Sequence, residues 1–378
     1  MAGIYIHIPF CKKACTYCDF HFTTTTTYLK EMVEAICKEI VLKKHRLAGQ
    51  QIGSIYFGGG TPSVLPATAL QQIFGTIEKH FSVASNAEIT IEANPDDLTA
   101  QKIAEFRKLP VNRFSIGTQS FFDEDLLWMN RAHHADEAVA SIKRSQDAGF
   151  ENLTIDLIYG YPLLSDEKWK SNINTAFELQ IPHLSAYALT VEPHTALAHA
   201  IDKGKQHKVD DEQSAAQFLM LIEAINAKGF EQYEISNYSL PGRYAVHNTN
   251  YWKGVPYLGI GPSAHGFDGD NRFINIANNA KYLAAIFAEK LPETVELLSI
   301  TDRFNEYVMT ALRTMWGINI KEIELRFGRS FADQTKKQVK PFVANGQLHM
   351  EQDTIKLSTE GKLFADGIAA ELFAEEND

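Results

Sequence analysis

The sequence predicts an α/β fold: a partial (β/α)6 barrel, then an α+β region ending in a winged-helix-like domain. Three observations lead there. Between residues 3 and 230, six short β-rich runs alternate with amphipathic helical stretches. Such alternation implies a parallel sheet with right-handed crossovers, and six units close only part of an eight-unit barrel. After Pro292 the pattern becomes three helices, a hairpin and a last helix, the order of a winged-helix module.

The β-rich runs are Ile4–Ile8, Ile52–Phe57, Glu88–Glu92, Arg113–Ile116, Leu153–Ile158 and Leu184–Leu189. Tyr28–Leu47 is the clearest helix, with Leu29, Met32, Val33, Ile36, Ile40 and Val41 recurring every three or four residues. Further helices are expected at Ala67–His80, Thr99–Leu109, Ala135–Ala148, Asp166–Leu179 and Asp211–Lys228, with Thr99 and Asp211 as N-caps and Gly149 and Gly229 as stops. Residues 231–275 are rich in Gly, Asn and aromatics, with strands expected around Gln232–Ser236 and Tyr257–Ile260 and a helix over Asn279–Glu289. Helices near Asp302–Trp316, Lys321–Phe327 and Phe331–Ala344, the pair Gln347–Glu351 and Thr354–Leu357, and a helix over Thr359–Phe373 complete the chain. The expected division is a barrel over 1–235, linking strands over 236–295 and a C-terminal unit over 296–378.

Composition excludes several classes. The 378 residues are 45% hydrophobic and 22% charged, in the globular range, which argues against a disordered or fibrous chain. No apolar run is long enough to span a membrane. The amino-terminal ten residues lack the basic n-region and cleavage site of a secretory signal, which points to the cytoplasm. A net charge of −11 repels phosphate backbones. The C-terminal unit is acidic too, with 10 Lys+Arg against 14 Asp+Glu, so it reads as a packing or protein-contact module and no nucleic-acid partner is expected. Lys43-Lys44-His45-Arg46 and Lys336-Lys337 read as solvated helix faces.

Chemistry concentrates after the first strand. Cys11, Cys15 and Cys18 follow it in C-x3-C-x2-C spacing, at the strand end where barrels of this class keep their reactive groups. Three crowded thiolates need a metal. Zinc would need a fourth ligand, for which His7 or His21 is available. A [4Fe–4S] cluster on three cysteines keeps one iron free of protein ligands, and the spacing favours it. Cys37 sits among apolar helix positions and reads as a small hydrophobe; Met129 and Met309 read the same way.

The stretch Cys11–Cys18, with Tyr17 just before the third cysteine, resembles the motif of the radical S-adenosylmethionine (SAM) proteins. The resemblance implies that SAM chelates the open iron and that an electron from the cluster can cleave it to a 5′-deoxyadenosyl radical, for which an electron donor is needed. Gly58-Gly59-Gly60-Thr61-Pro62 after the second strand, Glu92 at the end of the third, Gln119 after the fourth and Asp156, expected to end the fifth, agree with it. Together with Asn94-Pro95-Asp96 and Gly259-Ile260-Gly261-Pro262-Ser263-Ala264, these runs are similar to the oxygen-independent coproporphyrinogen III dehydrogenases and their paralogues along essentially the whole chain. Carried over motif by motif, that resemblance implies SAM contacts at Tyr5, Tyr17, Gly59, Gly60, Thr61, Glu92, Gln119, Arg131, Asp156 and Ala188.

Two departures divide the paralogues. The dehydrogenases carry a fourth cysteine two residues beyond the third, where this sequence has Phe20, and a segment ahead of the barrel, whereas the present sequence starts three residues before its first strand. Both features resemble the HemW group, which the resemblance implies are heme chaperones that pass heme to an acceptor protein. His247-Asn248-Thr249-Asn250-Tyr251 matches that group's H-N-x-x-Y motif, linked there to heme, which makes His247 and Tyr251 candidate heme ligands. A hydrogen-bonded structural role for His247 is the competing reading. Oxidative decarboxylation of coproporphyrinogen III is the enzymatic alternative, and a zinc-held scaffold the third.

Overall fold

Period-two alternation within the strands sets the architecture. In β1 (Ala2–Ile8) the residues Ile4, Ile6 and Ile8 are buried on one face while Tyr5 and His7 point to the other. The same alternation sets Phe114 and Ile116 against Arg113 and Ser115, and Leu153, Ile155 and Leu157 against Thr154 and Asp156. The apolar face meets helices, and the polar face lines the inside of a curved sheet. A computed structural model of the chain describes residues 1–375; residues 376–378, the end of the expected C-terminal unit, lie outside the described residues.

In chain order, β1 is followed by α1 (Leu29–Lys43), β2 (Gln51–Gly59), α2 (Ala67–His80), β3 (Ser82–Ala93), α3 (Ala100–Phe106), β4 (Arg113–Gln119), α4 (Asp123–Trp128), α5 (Ala135–Asp147), β5 (Asn152–Tyr159), α6 (Asp166–Glu178) and β6 (His183–Ala188). Then come α7 (Ala196–Asp202), α8 (Asp211–Ala227), β7 (Glu231–Glu234), β8 (Asn237–Ser239), α9 (Val246–Trp252), β9 (Tyr257–Ile260), β10 (His265–Phe267), β11 (Asn271–Asn275), α10 (Asn279–Phe287) and β12 (Glu293–Leu297). Strands β1 to β6 are parallel neighbours in sequence order, as the βα alternation requires. The sheet is open. It extends at both edges: β9 joins β1 in parallel, followed by β10, β11 and β12, while β8 joins β6 antiparallel and β7 in turn pairs with β8. The chain crosses from one edge to the other between β8 and β9, and α9 lies on that crossing.

The C-terminal unit has its own core around Phe304, Val308, Ile323, Ile355 and Ile368. It contains α11 (Ile300–Leu312), β13 (Ile318–Asn319), α12 (Ile320–Phe327), α13 (Arg329–Gln338), α14 (Lys340–Ala344), β14 (Leu348–Glu351), β15 (Thr354–Leu357) and α15 (Ala365–Glu371). The order agrees with a winged-helix-like module, and β13 pairs with β15 to make a small three-stranded sheet.

Some local expectations need correction. Asp210, not Asp211, caps α8, its carboxylate accepting from the amides of Glu212 and Gln213. The helix expected over Phe331–Ala344 is two, broken at Val339 just before Pro341, and that over Thr359–Phe373 is a 3-10 turn followed by α15. Met309 is 39% exposed and not part of an apolar stripe. The largest correction concerns Lys43, expected on a solvated face. It is 1% exposed and pairs with Glu39 at 2.6 Å and Glu293 at 3.0 Å. Its ammonium also donates to the carbonyl of Gly259 and to Asn275 Oδ1, while Glu39 accepts from the amide of Gly261 and the hydroxyl of Tyr282. The pair thus ties α1 to the β9 edge.

Removing one partner of a buried pair leaves an uncompensated charge. Lys43→Met is therefore expected to lower the unfolding free energy by about 3–5 kcal/mol in urea titrations, whereas Met at exposed Lys44 leaves it nearly unchanged. Equal effects at the two positions would contradict the pairing.

Candidate functional site

The cysteine loop runs from the end of β1 and is pinned from three sides. The amide of Cys11 donates to the carbonyl of Thr23 at 3.0 Å. The amide of Thr16 donates to the carbonyl of Met129, its carbonyl accepts from the amide of Leu197, and Asn130 Nδ2 donates to the carbonyl of Ala14. Lys12 pairs with Asp96 at 2.8 Å and with Asp97, fixing the loop to the turn after β3. Cys11, Cys15 and Cys18 are free and half-buried. Burial pushes the Cys11 and Cys18 thiols up to about 11, so a cation that binds them must displace their protons.

The three cysteines open onto a cavity of about 540 Å³ at the carboxyl ends of the strands. Of the residues singled out in the sequence, Tyr17, Gly59, Gly60, Thr61, Glu92, Gln119, Arg131, Asp156 and Ala188 all line it; Tyr5 does not and lies deeper. Arg131 Nη1 donates to Cys15 Sγ at 3.2 Å, and its Nη2 to Asn94 Oδ1 and the carbonyl of Gly117, both at 2.7 Å. Thr61 Oγ1 donates to Cys11 Sγ at 3.4 Å. Gly60 is required by packing: a Cβ there would stand 2.6 Å from the carbonyl oxygen of Phe10. Gly59 has φ +103°, which other residues rarely adopt. Gln119 holds φ +65° where the β4–β5 register slips, a strained backbone of the kind that clusters at functional sites.

Behind this cavity lies a second, of about 570 Å³, inside the curved sheet. The two share Asp19, Phe20, Glu92, Ser115, Asp156 and Tyr187 as walls. His247 and Tyr251 line the inner one, Tyr251 at its rim and 50% exposed. His247 is held at its backbone by Glu88, whose Oε1 accepts the amide at 3.0 Å, and at its ring by Ser54 Oγ, 2.9 Å from Nδ1. Among the described residues the ring's hydrogen bond is the one at Nδ1. The ring stacks on Tyr56 at 5.2 Å, and burial lowers its pKa to about 4, so the imidazole is neutral. Burial also raises Glu92 to about 8 and Asp156 to about 6. Tyr56 donates to Glu92 Oε1 at 2.7 Å, and Ser115 to Asp156 Oδ1 at 3.3 Å.

Sequence reasoning passed over Ser54, Tyr56, Glu88, Arg113, Ser185 and Tyr187. The signal was available: each is a polar residue at an inward position of a strand whose alternate residues are apolar. The two histidines considered as zinc ligands are engaged elsewhere. His7 Nε2 meets the carbonyl of His21, its Nδ1 meets Tyr5 OH, and His21 Nε2 meets Asn279 Oδ1.

The open barrel with its three-cysteine mouth defines a radical SAM protein. Residues 5–176 match the family model of the radical SAM superfamily, and residues 298–364 that of the HemN C-terminal domain. The chain is 31% identical to the heme chaperone HemW of Bacillus subtilis (strain 168), covering 99% of this chain and 100% of that protein, and 32% identical to the heme chaperone HemW of Escherichia coli (strain K12), covering 99% and 98%. It belongs to the HemW family. Its fold is that of the solved coproporphyrinogen III oxidase HemN of Escherichia coli, with a TM-score of 0.85 at 22% identity over 99% of this chain and 90% of that one.

Membership of the superfamily implies a [4Fe–4S] cluster and SAM, and the residues present fit both. Among the described residues no three His, Cys, Asp or Glu side chains converge tightly enough to hold a single ion, whereas a four-iron cube spreads its thiolates over separate irons. Half-buried Arg131 has its Nε buried and unpaired beside those thiols, a cation placed for an anionic group in the mouth.

Glu92 gives a pH signature. In the unfolded chain it is ionised above about 4.5; folded, it keeps its proton up to about 8, so unfolding releases that proton. Between about pH 7.5 and 8, a unit or more above the ordinary histidine value of about 6.5, the buried histidines are very largely neutral in both states. The melting temperature of the cofactor-free protein should fall across that window, and Glu92→Gln should remove this component of the slope. An unchanged slope in the variant would refute the assignment.

Proposed function

We propose that this chain is a heme chaperone, which binds heme, passes it to an acceptor protein, and carries a [4Fe–4S] cluster with exchangeable SAM. The cluster is assigned to Cys11, Cys15 and Cys18. SAM is assigned to Gly59, Gly60, Thr61, Glu92, Gln119, Arg131, Asp156 and Ala188, with Tyr17 beside them and Tyr5 behind. His247 and Tyr251 are the heme-contact residues. One observation carries the reading: His247 faces an aromatic-walled cavity with a neutral ring whose Nδ1 is held by Ser54. Four free cysteines accord with the reducing cytoplasm.

When bound, the cluster supplies the electron that can cleave SAM; the chain supplies position and shielding. Arg131 and Thr61 donate to the sulfurs of Cys15 and Cys11, lowering the charge those sulfurs present. Ser54 fixes the imidazole of His247 through Nδ1, the arrangement that orients a histidine toward a metal at its other nitrogen. Burial keeps the imidazole neutral at neutral pH, and in the tautomer whose Nδ1–H donates to Ser54 the Nε2 lone pair is free. The inner cavity's volume falls within the range of small-molecule sites, roughly 300–1,000 Å³. Phe20, where the dehydrogenases carry their extra cysteine, lines both cavities.

The test is a hemin titration of the anaerobically reconstituted protein. The wild type should take up about four irons per chain and shift the hemin Soret band. His247→Ala should lose at least about tenfold in heme affinity while retaining cluster iron, and Cys15→Ala should lose the cluster. Conversion of coproporphyrinogen III to protoporphyrinogen IX by the reconstituted protein would overturn the reading in favour of the dehydrogenase.

A further inference from the structure

Arg113 is the buried residue of the inner cavity for which the fold supplies too few partners. It opens β4 on the inward face, is 2% exposed, and is the only Lys or Arg among the residues lining that cavity. A guanidinium carries five N–H donors and remains charged in proteins. Here one of them, at Nη2, reaches Thr154 Oγ1. Nε is buried without a hydrogen-bond partner. The nearest carboxylate oxygen is Glu88 Oε2, 3.7 Å from Nε, beyond hydrogen-bonding distance. Glu88 is itself committed to the amide of His247 through its other oxygen.

The rest of the polar lining is better satisfied. Ser115 donates to Asp156, Ser185 to Asn237, Tyr56 to Glu92, and Asn248 to Tyr233. Burying a cation without matching acceptors costs several kcal/mol, so a fold that keeps one in a cavity has a use for it. The same cavity also has an aromatic wall: Tyr5 and Tyr56 stack at 6.2 Å, and Tyr56 and His247 at 5.2 Å. Aromatic faces and one fork-shaped cation in a single cavity suit a flat ring system that carries a carboxylate.

We infer that Arg113 anchors a carboxylate of the tetrapyrrole that His247 faces, as the specificity-determining residue of the inner cavity. The inference rests on the heme reading above and deepens it. It assigns the propionate end of the ligand to β4, with Glu88, which holds the backbone of His247, as the carboxylate that competes for Arg113.

The experiment compares hemin with hemin dimethyl ester, whose rings are alike and whose carboxylates are blocked, on the reconstituted full-length protein. The wild type should bind the free acid at least about tenfold more tightly than the diester. Arg113→Met should bind both alike, and Arg113→Lys should retain part of the preference, since it keeps the charge and loses the fork. Glu88→Gln removes the competing carboxylate and should widen the preference. The wild-type comparison stands even if Arg113→Met does not fold: equal affinity for acid and diester overturns the inference. So does a preference that survives in Arg113→Met. SAM titration separates the other source of a carboxylate, because loss of SAM binding in Arg113→Met with the heme preference intact would give this cation to SAM and refute the assignment. His247-dependent heme binding without any preference for the acid leaves the heme reading standing and removes Arg113 alone; no heme binding in any form removes both.

Discussion

A parallel sheet of six strands that stops short of closing leaves two edges, each with a row of amide groups that need partners. Much of this molecule answers that constraint. Strand β9 satisfies the β1 edge and β8 the β6 edge. The chain must then travel from one edge to the other, and the helix on that crossing, α9, brings His247 under the curved sheet, where Ser54 and Glu88 take hold of it. The buried pair of Glu39 and Lys43 has the same origin. It grips the Gly259 carbonyl and the Gly261 amide, at the end of β9 where the added strand gives way to loop.

The inward face of the sheet also explains the chemistry of the interior. Six strands alternate polar and apolar residues, so their polar sets meet in one space of low dielectric. There burial works against every charge: Glu92 and Asp156 are pushed upward and His247 downward. At neutral pH Glu92 and His247 thereby become neutral hydrogen-bonding partners, while Asp156 stays largely ionised. The two arginines cannot shed their charge: Arg131 at the mouth, beside the thiols, and Arg113 at the inner end. The cavity is therefore polarised by two fixed cations among carboxyls whose charge depends on what lies against them.

Much of this was legible in the sequence, and the reasons are local. Helix and strand periods, the cap at Thr99 and the stops at Gly149 and Gly229 depend on neighbours within a few residues. The spacing of Cys11, Cys15 and Cys18 is likewise a short-range feature. What escaped reading depends on long-range pairing. Nothing near Lys43 announces that Gly259, Asn275 and Glu293 will enclose it, so its cluster of basic neighbours looked solvated. Nothing near Tyr257 fixes β9 beside β1 rather than in a separate sheet. Arg113 was seen only as the start of a strand, because its significance lies in Thr154 and Glu88 from adjacent strands. The resemblance placed Gly59 and Gly60 against SAM, yet Gly60 is demanded first by the Phe10 carbonyl of its own chain.

Tyr56 joins the two halves of the interior. Its hydroxyl donates to Glu92 on the wall common to both cavities, and its ring stacks on His247 at the inner end. A cationic ligand laid against Glu92, such as a sulfonium, favours the carboxylate over the acid. A charged acceptor strengthens the Tyr56 hydrogen bond roughly twofold over a neutral one. Tyr56 and Glu92 are therefore the contact through which the mouth and the inner cavity adjoin.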